Sequence, residues 1–299
     1  MEVRNGVRSV DLDNGRKQQY QNVLPTVALA RNVLKLPLSV LNAKSVWIDG
    51  PLETQWKDSE TNKLVRFSFS RPTEVPFPNP RHSRFLDILL MMFASKFNKE
   101  GVLAFKFSHV LENAGLSKNN RGGRQSILET IFRYRKCLGD WDYSESSRIK
   151  AWSGPIITFC DIWNDDEKLS LNNPRNSQNA KSWHHITFHP KIVEALDNDL
   201  VKIFFSEVFR NKLTPEELIV YKHFFGLVDN SEIKRSLESI RTSIAYQSSR
   251  TKFKEWIKVK CESLVRKSMF EYFKIDHDVI SVWSETKFMP LQLSFFHRG

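Results

Sequence analysis

No Gly-x-x-x-x-Gly-Lys-Ser/Thr occurs in the 299 residues, so the loop that cradles nucleotide phosphates is missing. Cysteine is scarce. Cys137, Cys160 and Cys261 lie far apart and form no Cys-x-x-Cys pair. A sparse, odd set fits reduced thiols packed as small core residues rather than a disulfide framework. Long apolar runs are lacking as well: the stretch from Phe85 to Phe97 is too short to span a membrane and contains Asp87 and Lys96. Met1 to Asn22 is polar and mixed in charge, unlike a secretory signal. Residues 1–22 are therefore expected to be a flexible tail, and the protein cytoplasmic.

Metal and catalytic patterns are equally thin. His184 and His185 point to opposite faces of a strand, and Pro190 follows His189, so neither spacing gives a clean ligand pair. The His-apolar-His triplet of nicking relaxases is absent. Asp161, Asp165, Asp166 and Glu167 form an acidic loop cluster without strand placement. No cofactor and no catalysis are expected, which leaves a metal-dependent nuclease or recombinase the weakest reading.

What the chain has in excess is positive charge. Its 45 Lys and Arg against 34 Asp and Glu give a net charge of +11. That excess favours polyanions, because each neutralised phosphate releases condensed counterions. The charge is concentrated where helical periodicity is clear. From Gly115 to Lys136 there are six Lys/Arg and one acid. From Arg250 to Lys267 there are seven against Glu255 and Glu262.

The order of elements around the first basic segment is informative. Val33–Leu38 is apolar. Ser45–Ile48 and Leu64–Phe69 read as strands, with Asp58–Lys63 as the turn between them. Pro72, Pro76, Pro78 and Pro80 mark an irregular connector. The spacing of Phe85, Leu86, Leu89, Leu90 and Phe93 predicts a helix over about 81–96. Leu103–Phe107 is a short strand, and Ser108 can cap a helix that Gly115 ends. A further helix over 123–137 buries Ile127, Leu128, Ile131, Tyr134 and Leu138. Trp141–Tyr143, Ile156–Trp163 and Trp183–Phe188 follow as strands around a polar loop, Asn164–Lys181. Helix, strand, helix, helix and strand pair is the element order of a winged helix.

The last third reads as a second pass over this plan. Helical segments are expected at 201–209 and at 216–225, the latter with Thr214 as cap and Pro215 at its first position. Ser231 would cap a helix to about Ile244. A long helix over 249–268 buries Phe253, Ile257, Cys261 and Leu264, and a hairpin turns at Asp276–Asp278. The expected fold is α+β: two tandem winged-helix domains with small antiparallel sheets, over residues 23–195 and 196–299.

These helices point to DNA. Gln125, Glu129, Arg133 and Lys136 sit at i, i+4, i+8 and i+11 and are expected to share one helical face opposite Ile127 and Ile131, and Gln and Arg bond bidentately to base edges. Arg121 and Arg124 flank Gly122 and Gly123, where backbone amides can approach a phosphate. Lys118, Asn119 and Asn120 complete the turn. On the second basic helix the candidates are Arg250, Lys252, Lys254, Lys258 and Arg266, with phosphate contact the clearer role. Thus Arg133 is expected to read bases and Arg121 to hold phosphate.

Three regions carry a family resemblance. Val33–Leu41 followed by a strand pair, Pro72–Pro80 leading into Phe85–Leu90, and Phe107–Leu111 with Gly115-Leu116, Gln125-Ser126-Ile127 and Trp141 together resemble plasmid replication initiators of the "replication initiator protein A" group. The resemblance covers roughly residues 30–190. It implies binding to repeated origin sites (iterons), opening of the duplex and recruitment of host helicase and initiator proteins, without ATP hydrolysis. It carries over Arg121, Arg124, Gln125, Arg133 and Lys136 as DNA contacts. The long loop between Trp163 and Trp183 departs from a compact wing, which leaves open what Arg175 and Lys181 contribute. A monomer and a homodimer are both open, no membrane partner is implied, and a winged-helix transcription regulator is the alternative.

Overall fold

The structure, a computed structural model, describes residues 26–30, 39–41, 46–57, 64–143, 152–162, 183–198, 201–205, 213–225 and 232–283. The expected tail, Val33–Leu38, the Asp58–Lys63 turn, Asp165–Glu167, Arg175, Lys181 and Ser231 lie outside these residues.

Helix α1 (Pro80–Ala94) ends the proline-rich connector. Asn79 caps it: its Oδ1 accepts from the N–H of Arg81 at 3.0 Å and of His82 at 3.2 Å. His82 Nδ1 accepts in return from the Asn79 N–H at 3.1 Å, which puts the ring proton on Nε2. After it come β4 (Val102–Phe105), α2 (Phe107–Asn113) and α3 (Arg121–Lys136). Strands β7 (Ile157–Cys160) and β8 (His184–Phe188) complete a three-stranded antiparallel sheet in the order β4-β8-β7. Its core joins Phe85, Leu89 and Phe93 of α1 to Phe105, Val110, Ile127, Ile131 and Phe188. Ser108 is not a cap, because α2 begins one residue earlier with Lys106 at its N-cap and no side-chain bond there.

Against this unit packs a four-stranded sheet, β2-β3-β5-β6, of Leu52–Lys57, Leu64–Ser70, Leu138–Tyr143 and Trp152–Pro155. The partner of Leu64–Ser70 is therefore Leu52–Lys57 and not the expected 45–48, which enters a turn at Val46 and Trp47. Phe67 and Phe69 face the core beside Phe77 and Tyr134. Helix α4 (Pro190–Asn198) leaves the first unit; the boundary drawn between 195 and 196 falls within it.

Residues 201–205 form a strand, β9, rather than a helix. It pairs antiparallel with β1 (Thr26–Ala30), Thr26 opposite Phe205 and Ala30 opposite Val201. A short Val/Ile/Phe run does not separate strand from buried helix by periodicity, and here a distant partner decides.

The second unit starts with α5 (Pro215–Phe225), whose Thr214 and Glu217 cap each other reciprocally. The segment expected as one helix to Ile244 splits into β10 (Glu232–Ser236) and α6 (Leu237–Ser243), with Ser236 as cap. Helix α7 (Arg250–Arg266) and the hairpin β11 (Tyr272–Asp276) and β12 (Val279–Trp283) close the unit. Its sheet order is β10-β12-β11. Both three-stranded sheets thus place their first and second strands on either side of the third.

A buried ion pair joins the units. Lys222 Nζ of α5 donates to Asp87 Oδ2 of α1 at 2.5 Å, with both side chains under one-tenth exposed. Burial pushes the Asp87 carboxyl upward in pKa, and the Lys222 ammonium pulls against it. The three cysteines are free and buried, and burial pushes each thiol to about 12. That is the core role expected of them.

Candidate nucleic-acid interface

The break before α3 is built by backbone geometry. Gly115 takes φ +71° after α2, and its N–H donates to Glu112 O at 2.9 Å. The Leu116 N–H reaches back to Leu111 O at 2.8 Å, so the last carbonyls of α2 are satisfied by a Schellman motif. Asn120 then caps α3: its Oδ1 accepts from the Gly123 N–H at 2.6 Å. Gly123 is required by space, since a Cβ there would sit 2.5 Å from Leu111 Cδ2.

Arginines lock the same segment. Arg84 Nη2 donates to Ala114 O at 3.1 Å, and Arg81 Nη2 to Gly122 O at 3.2 Å. Arg124 Nη2 donates to Lys118 O at 2.9 Å. Sequence reasoning missed Arg81 and Arg84, because nothing in their spacing links them to a turn 30–41 residues away. Arg124, expected to be a phosphate ligand, spends part of its guanidinium closing the turn. Asn120 is a cap rather than a displayed side chain. Lys118 is tied to the buried Glu112 at 3.0 Å, and Asn119 is exposed.

The expected row Gln125, Glu129, Arg133 and Lys136 does not lie on one solvated face. Each four-residue step advances about 40° around a helix, so Gln125, Glu129 and Arg133 wind from the outer surface towards α1, and the three-residue step to Lys136 turns back by about 60°. Gln125 Nε2 donates to Glu129 Oε1 at 3.1 Å, and His82 Nε2 donates to Glu129 Oε2 at 3.1 Å. Arg133 is turned inward: Nη1 donates to Phe77 O at 2.7 Å, and its side chain is only 14% exposed. Burial pulls its pKa down, but a guanidinium stays charged. Base reading by Arg133 is therefore corrected to anchoring of the proline-rich connector. Hydrogen bonding by His82 holds the Glu129 carboxyl below its usual range, and burial holds the His82 imidazole below its own.

What α3 shows outward is Arg121 and Lys136 at its ends, with Gln125, Leu128 and Phe132 half-buried between them. Among the described residues no ion pair engages Arg121 or Lys136.

Helix α7 follows a comparable turn. The N–H groups of Ala245 and Tyr246 donate to Thr242 O and Arg241 O, each at 3.0 Å, and Ala245 has φ +52°. Ser249 caps the helix through the Lys252 N–H at 3.5 Å. Here the hairpin takes up cations. Arg250 pairs with Asp278, and Lys254 Nζ donates to His277 O at 3.0 Å. Lys258 lies 3.9 Å from Glu262, while Lys252 and Arg266 are exposed. On the inner side Lys267 and Ser263 donate to Glu217 at 2.6 and 2.5 Å. Burial alone would raise Glu217, but these bonds and the Thr214 N–H hold it at about 2.

The histidines fall as expected. His184 is buried between Phe105 and Phe107, and His185 is exposed with Nδ1 2.7 Å from Asp161 Oδ2. Among the described residues no group of three or more His, Cys, Asp or Glu could hold a metal ion, and no helix is long and apolar enough to cross a membrane.

No family model matches the sequence, and no characterised protein matches it at the sequence level. The fold is similar to domains 2 and 3 of RctB. A crystal structure of their selenomethionine derivatives superposes with a TM-score of 0.55 at 8% identity, over 86% of this chain and 99% of that one. A second, of RctB residues 155–483, gives 0.51 at 9% identity, over 83% and 95%. At such identities the likeness is one of fold.

Proposed function

We propose that this chain is a DNA-binding replication initiator made of two winged-helix units in tandem. One observation carries the reading. The order helix, strand, helix, turn, basic helix, hairpin occurs twice, with β5 and β6 inserted before the hairpin in the first unit, each time with the same sheet order and a Schellman-type turn before the basic helix. A helix presented in this way enters a major groove. The likeness to two domains of RctB, a replication initiator with winged-helix domains, supports the initiator class.

On this reading Arg121 and Lys136 meet phosphates at the two ends of α3, and Gln125 is the candidate for a base edge. Lys252 and Arg266 take the phosphate role on α7, with Lys258 beside them. The finer statement is that the target is a set of repeats at a plasmid origin, opened with the help of host helicase and initiator proteins. The chain does this as a binding protein and not as an enzyme, in the cytoplasm.

Footprinting on the DNA that surrounds the gene tests this directly. Evenly spaced protected repeats are expected, and a single protected operator inside a promoter would replace initiation by transcriptional control. In gel shifts across salt, Arg121→Ala should weaken all duplexes and lower the salt slope by about 0.9. An unchanged slope would remove α3 from the interface.

A further inference from the structure

Trp183 is half-exposed at the foot of the β7–β8 hairpin, one residue before β8. The register pairs Phe105 with His184, so Lys106 and Trp183 continue the ladder side by side. Lys106 Nζ lies 4.9 Å from the indole centre and Lys96 Nζ 5.8 Å. The His109 ring meets the indole edge-on at 5.6 Å. Two long cationic side chains are thereby gathered on one ring, held there by the attraction of an ammonium to the indole face.

Lys106 stands at the N-cap of α2, and Lys118, paired with Glu112 of the last turn of α2, stands beyond its other end. Burial lowers the His109 pKa, and the charges of Lys106, Lys96 and Lys118 all lower it further, opposed by Glu112. The seven residues of α2 span about 10 Å, close to the rise of three base pairs along one strand.

Resting on the function proposed above, we propose that Lys96 and Lys106, held on Trp183, form a second phosphate contact that guides one DNA strand along α2 to the start of α3. The ammonium groups supply charge and N–H donors, and the indole fixes where they stand. No base is read there, so the contact adds affinity and leaves sequence preference alone.

The test is fluorescence anisotropy of a labelled mixed-sequence duplex across a salt series, with thermal melting as a check on folding. Lys96 is exposed and Lys106 half-buried, and Lys106 makes no side-chain cap bond that Lys106→Gln would remove. Lys96→Gln and Lys106→Gln should each weaken binding about fivefold at 0.15 M salt, and the pair should lower the salt slope by about 1.8. Trp183→Leu should give a smaller loss, because it frees the lysines without deleting them. Wild-type affinity and slope in the Lys96/Lys106 double variant would overturn this contact while leaving the function standing. A loss confined to one DNA sequence would overturn it too, since that is base reading. Wild-type protein that binds no duplex would remove both the function and this contact.

Discussion

The two units end their short helices with the same pair of hydrogen bonds, yet the first uses Gly115 at the left-handed position and the second uses Ala245. They differ again at the third residue of the following helix. Gly123 of α3 packs against Leu111 where no Cβ fits, whereas Lys252 of α7 projects into solvent. A shared topology is therefore met by different packing. The first turn is clamped by Arg81, Arg84 and Arg124 and keeps Arg121 displayed. The second gives Arg250 and Lys254 to its own hairpin. Both units spend cations on their own structure, and each leaves others exposed: Arg121 and Lys136 on α3, Lys252 and Arg266 on α7.

The largest test removes what the units share. Lys222→Ala leaves Asp87 buried without its partner and should cost about 3–5 kcal/mol, whereas replacing both residues by apolar ones should restore much of the loss. Calorimetry should then resolve two transitions in the single variant if the pair couples the units. Gly123→Ala comes next: it overpacks the α2–α3 contact and should cost about 1–3 kcal/mol, while Lys252→Ala should be nearly silent in melting. An equal effect at both positions would erase the difference in packing. Smaller still, Gly115→Ala should destabilise and Ala245→Gly stabilise, each by about 1 kcal/mol, because only glycine is unstrained at positive φ.

The smallest effect is a local one in acid. His82 is neutral with a lowered pKa, so its contribution is whole above its ordinary 6.5 and is lost as pH falls through the folded value. Glu217 contributes above its ordinary 4.5, and that is lost only as pH falls towards about 2. Asp87, with a raised pKa, runs the other way, which makes a global melt ambiguous. Hydrogen exchange at pH 7.5 and pH 5 should show α1 and α3 loosening before α5 and α7. Uniform loosening would mean that His82 does not set the acid sensitivity of the first unit.

Legibility in the sequence followed local information. Helices α1, α3 and α7 and the β11–β12 hairpin were readable because their apolar spacing or turn residues are self-contained, as was the Thr214-Pro215 start of α5. Leu52–Lys57 has only Leu52 and Trp56 as apolar residues beside the denser run Val46, Trp47 and Ile48, and it is defined as a strand by its pairing with Leu64–Phe69. Residues 201–205 were misread because their pairing partner is Thr26–Ala30. At the site, the α2–α3 turn and the exposure of Arg121 are legible in the sequence, and the burial of Arg133 is not. Its fate depends on α1 crossing beside α3, and a helical wheel for one helix carries no record of its neighbour. The same holds for Trp183, Lys96 and Lys106, which meet only because β4 pairs with β8.

The pairing of β1 with β9 sets an order of events during synthesis. Strand β1 leaves the ribosome first, but its partner follows only after roughly 170 further residues, so a large loop must close before the ladder forms. The first unit can collapse around α1, α2 and α3 as soon as β8 is made. Its opening strand waits beside α1 until Val201–Phe205 arrives, and the chain is then stitched shut just as the second unit begins to emerge.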